Sequence, residues 1–359
     1  MNKDKAARGR IGKWLSIASI AVAGAALVWF AVAADGLPSL LRALASIDGR
    51  WFALALLICA LYWLLEAVVL QTLTQSALKP YKFANSVRTG LIGLFYNAIT
   101  PFATGGQPMQ LYAMSQSGLG VGVAGSILLA KSIIYQTCLT AIAAVSVVFG
   151  AGHFVGRVPY FSALVAAGLA INLLSVAAMH ALSGSGRLAE AISRFAVSLL
   201  AKIRLIKHPE KMLEKVRRQI GLFHESSARF GRNAPVNLAA YALTALQFLA
   251  YYSIPFCIYK SFGMPGAPIF LMLCAQSIVA MITAFIPSPG ASGAAEGSFY
   301  IFFSIFFGAS AIMPAVLIWR FLTYYLSIMA GGAAWALGMA RDRAAERARL
   351  RAEASRRAA

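Results

Sequence analysis

Hydrophobic runs of about 20 residues recur along this chain, and short polar segments separate them. A run of that length crosses the ~30 Å hydrocarbon layer of a membrane as one α-helix. The pattern predicts six full spans, at residues 12–34, 51–70, 121–149, 160–183, 236–259 and 313–340. We therefore expect an all-α polytopic membrane protein whose residues 1–359 form a single integral membrane domain.

Two more hydrophobic stretches, 84–117 and 268–309, are interrupted by proline, glycine and hydroxyl residues. The first break reads Thr100-Pro-Phe-Ala-Thr-Gly-Gly-Gln107, and the second reads Pro287-Ser-Pro-Gly-Ala-Ser-Gly-Ala-Ala-Glu296. Proline lacks a backbone donor and glycine tolerates unusual dihedral angles, so each stretch is predicted to be a helical hairpin. We favour re-entrant hairpins over pairs of short full spans, because irregular backbone at membrane depth needs protein or a water-filled cavity around it.

The distribution of charge gives the topology. Of the 32 Lys and Arg residues, 23 lie in residues 1–13, 184–235 and 341–359, which places these segments and both termini on the cytoplasmic side. Hairpin 84–117 then enters from the inside and hairpin 268–309 from the outside. The apolar positions within 184–235 predict basic amphipathic helices on the inner leaflet, and 341–359 reads as a basic cytoplasmic tail.

The two halves correspond when the first is shifted by 189 residues. Span 51–70 then falls on 240–259, and span 121–149 falls on 310–338. We predict a repeat A over 51–183 and a repeat B over 236–340, with inverted topology. Paired interrupted segments in such repeats indicate a binding site near the bilayer midplane.

Four ionisable residues lie inside apolar stretches, where each costs about 2.5–3.5 kcal/mol on insertion scales. Lys131 and Arg320 each follow the end of a break by 24 residues. We expect both cations to attract a lipid phosphate, with Glu296 pairing with one of them or carrying a proton. The alternative is a buried ion pair that holds the two repeats together. For Glu66, which lies near the inner end of its span, a functional role stays open beside snorkelling or a local hydrogen bond.

The helices that follow the breaks should offer free N–H groups to an anion, with uncharged polar residues beside them. Tyr135, Gln136 and Tyr324 lie on roughly the same helix face as the cations and could line the same cavity. The predicted substrate-binding residues are Thr100, Pro101, Thr104, Gly105, Gly106, Gln107, Gln110, Lys131, Tyr135, Gln136, Ser288, Gly290, Ser292, Gly293, Glu296, Arg320 and Tyr324. No catalytic residue is predicted. The cysteines and histidines have no metal-ligand spacing and no GxxxxGK[ST] motif occurs, so we expect neither a metal nor a cofactor.

The segment Asn97-Ala-Ile-Thr-Pro-Phe-Ala-Thr-Gly-Gly-Gln-Pro-Met-Gln110, followed by Lys131-Ser-Ile-Ile-Tyr-Gln136, resembles the transmembrane region of the lysylphosphatidylglycerol synthase/flippase-like family. The second break resembles that family's second motif, which usually carries more glycines. The resemblance implies movement of an aminoacylated phospholipid between leaflets. It implies the translocating part alone, because we expect no aminoacyl-transfer domain within 359 residues.

We therefore predict a flippase in the cell membrane, not an enzyme, that moves a phospholipid or other amphiphile through a cavity between the two breaks. Downhill scrambling and ion coupling through Glu296 both stay open. The main alternative is a membrane subunit that docks a lipid-modifying enzyme or glycosyltransferase and transports nothing; a membrane enzyme acting on a lipid headgroup is a weaker one. The expected partners are a phospholipid with an anionic or aminoacylated headgroup, the membrane, and either a second copy or a separately encoded lipid-modifying enzyme, with no nucleic acid.

Overall fold

A computed structural model describes residues 41, 45, 47–77, 80–184, 221–223, 225–227, 231–266 and 268–340. Within this part of the chain the regular structure is helical and no β-strand occurs, which confirms the all-α class. The predicted span 12–34, the tail 341–359 and most of the basic segment 184–235 lie outside the described residues. In chain order the helices are α1 (Gly49–Ala77), α2 (Phe83–Ile99), α3 (Gly106–Gln116), α4 (Val121–Phe154), α5 (Phe161–Gly184), α6 (Ala234–Ser261), α7 (Ile269–Thr283), α8 (Ala294–Phe303) and α9 (Ala309–Ala340).

Five of the described helices are long and apolar enough to cross a membrane, namely α1, α4, α5, α6 and α9. They correspond to the predicted spans, but α1 continues to Ala77 and α4 to Phe154. Leu73 and Thr74 in the last turns of α1 are fully buried, so tertiary packing extends this helix beyond its most hydrophobic part.

Each predicted hairpin consists of two short helices around a 3₁₀ turn. The turn at Pro101–Ala103 separates α2 from α3, and the turn at Pro289–Ala291 separates α7 from α8. The longest of these four helices has 17 residues and is therefore about 26 Å long, which is shorter than the ~30 Å hydrocarbon layer. Re-entry from opposite sides stays a prediction.

The two halves pack on each other reciprocally. Helix α1 and its counterpart α6 share the most extensive helix–helix contact among the described elements. Helix α4 packs against α7, and in return α9 packs against α2, where Gly331 lies so close to the Leu91 carbonyl that a Cβ would overlap it. This exchange of partners is what two inverted repeats would produce, although the division into repeats A and B stays a prediction.

Aromatic side chains fill the core on the α8 side of the molecule. Phe299, Phe302 and Phe303 are fully buried, and the rings of Phe299 and Trp319 stack with centroids 4.6 Å apart. This packing fixes α8 against α9. Because α8 begins directly after the second break, the core holds one side of the break in place.

Candidate functional site

The two breaks have the same backbone conformation from Thr100 to Ala103 and from Ser288 to Ala291. Thr100 and Ser288 are extended, with φ/ψ of −115°/144° and −125°/150°, and a proline then starts each 3₁₀ turn. The next two residues have positive φ in both turns: 55° at Phe102 and 52° at Ala103, 58° at Gly290 and 52° at Ala291. This structural equivalence corresponds to a shift of 188 residues, one fewer than the shift that aligns Lys131 with Arg320.

The 3₁₀ turns contact each other and border a shared cavity of about 420 Å³. We call it the inter-break cavity. Phe102 and Ala103 from the first break line it, together with Gly290 and Ala291 from the second. Its wall also contains Glu66, Lys131 and Arg320, together with side-chain amides and aromatic rings from α1, α2, α4, α6, α7 and α9. The cavity therefore lies where the sequence placed the binding site, between the two breaks.

Side chains of the first hairpin cap its own break. The hydroxyl of Thr100 donates to the Tyr96 carbonyl at 2.6 Å and accepts from the backbone N–H of Gly105 at 2.8 Å. The Asn97 side-chain oxygen accepts from the N–H of Gly106 at 3.0 Å. For Gly105 and Gly106 the prediction of N–H groups free for an anion is therefore wrong, because protein oxygens already satisfy both.

In the second break, Arg320 and Glu296 serve as the caps. The guanidinium donates to the Gly290 carbonyl at 3.0 Å and to the Ser292 hydroxyl at 3.1 Å. Arg320 Nε lies 2.7 Å from Glu296 Oε1, an ion pair in which the N–H is not aligned as a hydrogen bond. Glu296 Oε2 accepts from the N–H of Gly293 at 2.7 Å, so a carboxylate of the protein itself lies at the N-terminus of α8.

Lys131 has a different partner. Its ammonium group pairs with Glu66 Oε1, and Gln247 donates to Glu66 Oε2 at 3.2 Å. Glu66 and Gln247 are almost completely buried, and the Lys131 side chain is 14% exposed. Lys131 thus lines the cavity on a wall of buried polar groups, while Arg320 is committed to the backbone of a break.

Each ion pair lies within a single predicted repeat, and neither pair joins the two repeats. Glu66 and Lys131 belong to residues 51–183, whereas Glu296 and Arg320 belong to residues 236–340. The hypothesis that these cations form ion pairs holding the two repeats together is therefore wrong. Glu296 does pair with one of the cations, as predicted, and Glu66 is neither snorkelling nor bonded locally.

Two tyrosines line the cavity close to the cations. The hydroxyl of Tyr324 donates to the Ala98 carbonyl at 3.2 Å, and the centre of the Arg320 guanidinium lies 4.3 Å from the centroid of its ring. The Tyr135 ring packs against Phe248 with centroids 4.8 Å apart. These rings give the cavity apolar faces next to its charged groups.

Comparison with known proteins assigns the family. Residues 16–331 match the family described as the lysylphosphatidylglycerol synthase TM region. The chain belongs to this family. It is also 27% identical over 289 residues to a UPF0104 membrane protein of Archaeoglobus fulgidus, and the alignment covers 79% of this chain and 85% of the relative. Membership confirms the resemblance seen in the sequence motifs and supports a multi-pass membrane location.

The structure of this lysylphosphatidylglycerol synthase TM-region protein divides the predicted site residues into two groups. The cavity is lined by Gln107, Gln110, Lys131, Tyr135, Gln136, Ser288, Gly290, Arg320 and Tyr324. The remaining residues shape the breaks without lining the cavity: Thr100, Pro101, Thr104, Gly105, Gly106, Ser292, Gly293 and Glu296. The site residues themselves stay predictions, since geometry alone assigns them no ligand.

Several cavity-lining residues were not predicted as site residues, among them Asn97 and Gln276. Tyr62 and Tyr251 lie in long spans, where they resemble ordinary packing residues. Gln276 is polar in the apolar helix α7, and this contrast was the available clue. Glu66 also lines the cavity, and its pairing with Lys131, 65 positions away, depends on tertiary structure.

Proposed function

We propose that this protein translocates a phospholipid or a related amphiphile between leaflets, with the headgroup in the inter-break cavity and the acyl chains in the surrounding lipid. The observation that carries the proposal is the meeting of two 3₁₀ turns of the same conformation around one cavity lined by charged, amide and aromatic side chains. The family description and the UPF0104 relative support a lipid-related role. The activity we propose is transport without catalysis.

The size and lining of the cavity suit a headgroup. About 420 Å³ falls within the usual range of small-molecule sites, about 300–1,000 Å³. Small-molecule sites are mostly apolar and contain a few polar groups that fix the orientation of the ligand. The wall of this cavity likewise combines aromatic rings with Lys131 and uncharged amides. Lipid tails would remain outside, against the exposed apolar residues of the long helices, such as Leu57 and Val148.

Lys131 is the cation that we assign to the ligand. Arg320 has three protein partners at the second break, and removing it from them would leave a backbone carbonyl unpaired. Lys131 has Glu66 as its partner and makes no described contact with either break. An anionic headgroup would therefore compete with Glu66 for Lys131, while Arg320 keeps the break folded.

Reciprocal packing of the halves supports a mechanism of alternating access. Rocking of repeat B against repeat A would move the two contacting turns relative to each other and change which side of the cavity opens. Both termini are proposed to be cytoplasmic, from the distribution of cations in the sequence. The hairpins are proposed to re-enter from opposite sides, which would bring their turns together near the midplane.

The test is exchange of fluorescent phospholipids in liposomes that contain the purified protein. A membrane-impermeant quencher reports how much lipid crosses between leaflets. We expect protein-dependent exchange that the substitution Lys131→Met lowers by at least about tenfold, since hydrogen bonds to charged groups are worth about 1.5–3 kcal/mol. The control is Lys260→Met, because Lys260 lies at the end of α6 and does not line the cavity.

Two outcomes would contradict the proposal. Exchange no faster than in protein-free liposomes for anionic, zwitterionic and aminoacylated lipids, with and without an ion gradient, would favour a non-transporting docking subunit. Equal exchange by wild type and Lys131→Met would show that the headgroup does not use this cavity wall.

A further inference from the structure

One amide in the inter-break cavity has an unsatisfied hydrogen-bonding atom. Gln276, on α7, lines the cavity with 1% of its surface exposed, and its Oε1 atom has no hydrogen-bond partner among the described residues. An unpaired buried polar atom costs about 1–3 kcal/mol. Such atoms are rare in folded proteins, so this one calls for a physical explanation.

The neighbouring buried amides all have protein partners. Gln136 donates to Asn172, Gln247 donates to Glu66, and Gln110 donates to the Thr89 carbonyl. These bonds connect helices and account for the presence of polar groups in the membrane interior. Gln276 Oε1 contributes no such bond, so a contact between helices does not explain why this atom is buried.

The chemistry of the cavity limits what could pair with Gln276. An ionised phosphate carries acceptors alone and cannot donate to Oε1. An ammonium group can donate to Oε1, but its charge favours the carboxylate of Glu66, which also lines the cavity. A hydroxyl group both donates and accepts, so it satisfies the amide in either orientation of its O and N atoms.

We infer that Gln276 recognises a hydroxyl-bearing headgroup, of the sugar or polyol class, and so sets the selectivity of the site. The inference rests on the proposed function, because it takes the ligand to be an amphiphile in the same cavity. The phosphate of such a lipid would face Lys131 and its hydroxyl groups would face Gln276. Tyr62 and Tyr251, whose ring centroids lie 5.3 Å apart, provide an aromatic wall against which the apolar face of a polyol packs.

The experiment compares two lipids that have the same charge and differ in hydroxyl groups. Phosphatidylglycerol and phosphatidylethanol of identical acyl chains are titrated against the detergent-solubilised protein, and binding is followed by the shift in thermal unfolding. For the wild type we expect affinity about three- to tenfold higher for phosphatidylglycerol, the effect of one hydrogen bond. In Gln276→Met the two lipids should bind equally.

Unfolding without lipid gives an independent readout. Because Oε1 of Gln276 has no protein partner, Gln276→Met should unfold at the same temperature as the wild type or higher. The matched control is Gln136→Met, which breaks the bond to Asn172 and should unfold at a lower temperature. Both substitutions place the same side chain on a cavity-lining helix.

The inference is overturned if the wild type binds both lipids equally, since Gln276 would then contact solvent alone. It is also overturned if Gln276→Met keeps the preference for phosphatidylglycerol. These readouts measure binding, so they are separate from the test of transport. Selective binding without exchange in liposomes would retain the inference and remove the translocation proposal.

Discussion

The hydroxyl of Tyr324 donates a hydrogen bond to the backbone carbonyl of Ala98, 3.2 Å away, and the two residues are 226 positions apart. Ala98 lies in α2, just before the first break. The ring of Tyr324 covers Gly290 in the second break, where a Cβ would overlap it. One side chain thus joins both breaks, and any motion that separates them must break this bond.

Replacing Tyr324 by Phe should loosen the contact between the breaks. The ring stays in place over Gly290 while the hydrogen bond to Ala98 is lost, and the free energy of unfolding should fall by about 0.5–1.5 kcal/mol. If opening between the breaks limits lipid exchange, the exchange rate in liposomes should rise. Tyr300→Phe is the control, because Tyr300 is 45% exposed and lies outside the cavity. Slower exchange in Tyr324→Phe than in the control would contradict this role for the bond.

Gly290→Ala should be among the most damaging single substitutions in the second break. Its φ of 58° is unfavourable for a residue with a Cβ, and that atom would collide with the Tyr324 ring. We expect a loss of more than about 2 kcal/mol in stability, measured by chemical or thermal unfolding in detergent. Gly297→Ala provides the comparison, since this glycine lies in α8 with open space around its Cβ position. Equal stability of the two variants would show that the turn tolerates a side chain.

Arg320→Lys should destabilise the protein although it keeps the charge. The guanidinium reaches the Gly290 carbonyl, the Ser292 hydroxyl and the Glu296 carboxylate at once, and an ammonium group lacks this planar fork. Losing one or two of these bonds should cost about 1–3 kcal/mol, visible as a lower unfolding temperature. An unchanged unfolding temperature would mean that charge alone is sufficient there. Lys131→Arg tests the corresponding position in the first half. Because this substitution keeps the ion pair with Glu66, it should lower the unfolding temperature less than Arg320→Lys does.

Glu66→Gln should increase the affinity for anionic lipids. The substitution removes the charge that neutralises Lys131 and leaves the lysine available to a phosphate. We expect binding of phosphatidylethanol to tighten by about tenfold, followed by thermal shift, while the lipid-free protein becomes less stable because a buried cation loses its partner. The double variant Glu66→Gln with Lys131→Met should not show the gain. Weaker binding by Glu66→Gln alone would indicate that Glu66 contacts the ligand directly.

Much of the architecture follows from the sequence because long apolar runs have few alternatives in a membrane. The breaks were predicted for a similar reason, since proline and glycine mark where a helix cannot continue. The matched offsets of Lys131 and Arg320 correctly brought both cations to the same cavity. Those features depend on residues near each other in the chain.

The partners of the site residues could not be predicted in the same way. Glu66 and Gln247 lie on α1 and α6, and their meeting depends on how these two helices pack. The N–H groups of Gly106 and Gly293, expected to be free, are occupied by the side chains of Asn97 and Glu296. Gln276 has no distinguishing neighbour in the sequence, and its importance appears once its Oε1 is seen to be buried without a partner.

The confinement of each ion pair to one half of the molecule has a consequence for biogenesis. Glu66 meets Lys131 without help from the second half, and Glu296 meets Arg320 without help from the first. These four charges can therefore enter the bilayer already paired within their own half as it leaves the ribosome, rather than waiting in hydrocarbon for a partner made later. When the halves meet they exchange shape and hydrogen bonds from uncharged donors, such as that of Gln247 to Glu66, and these contacts can be loosened again while each charge keeps its partner.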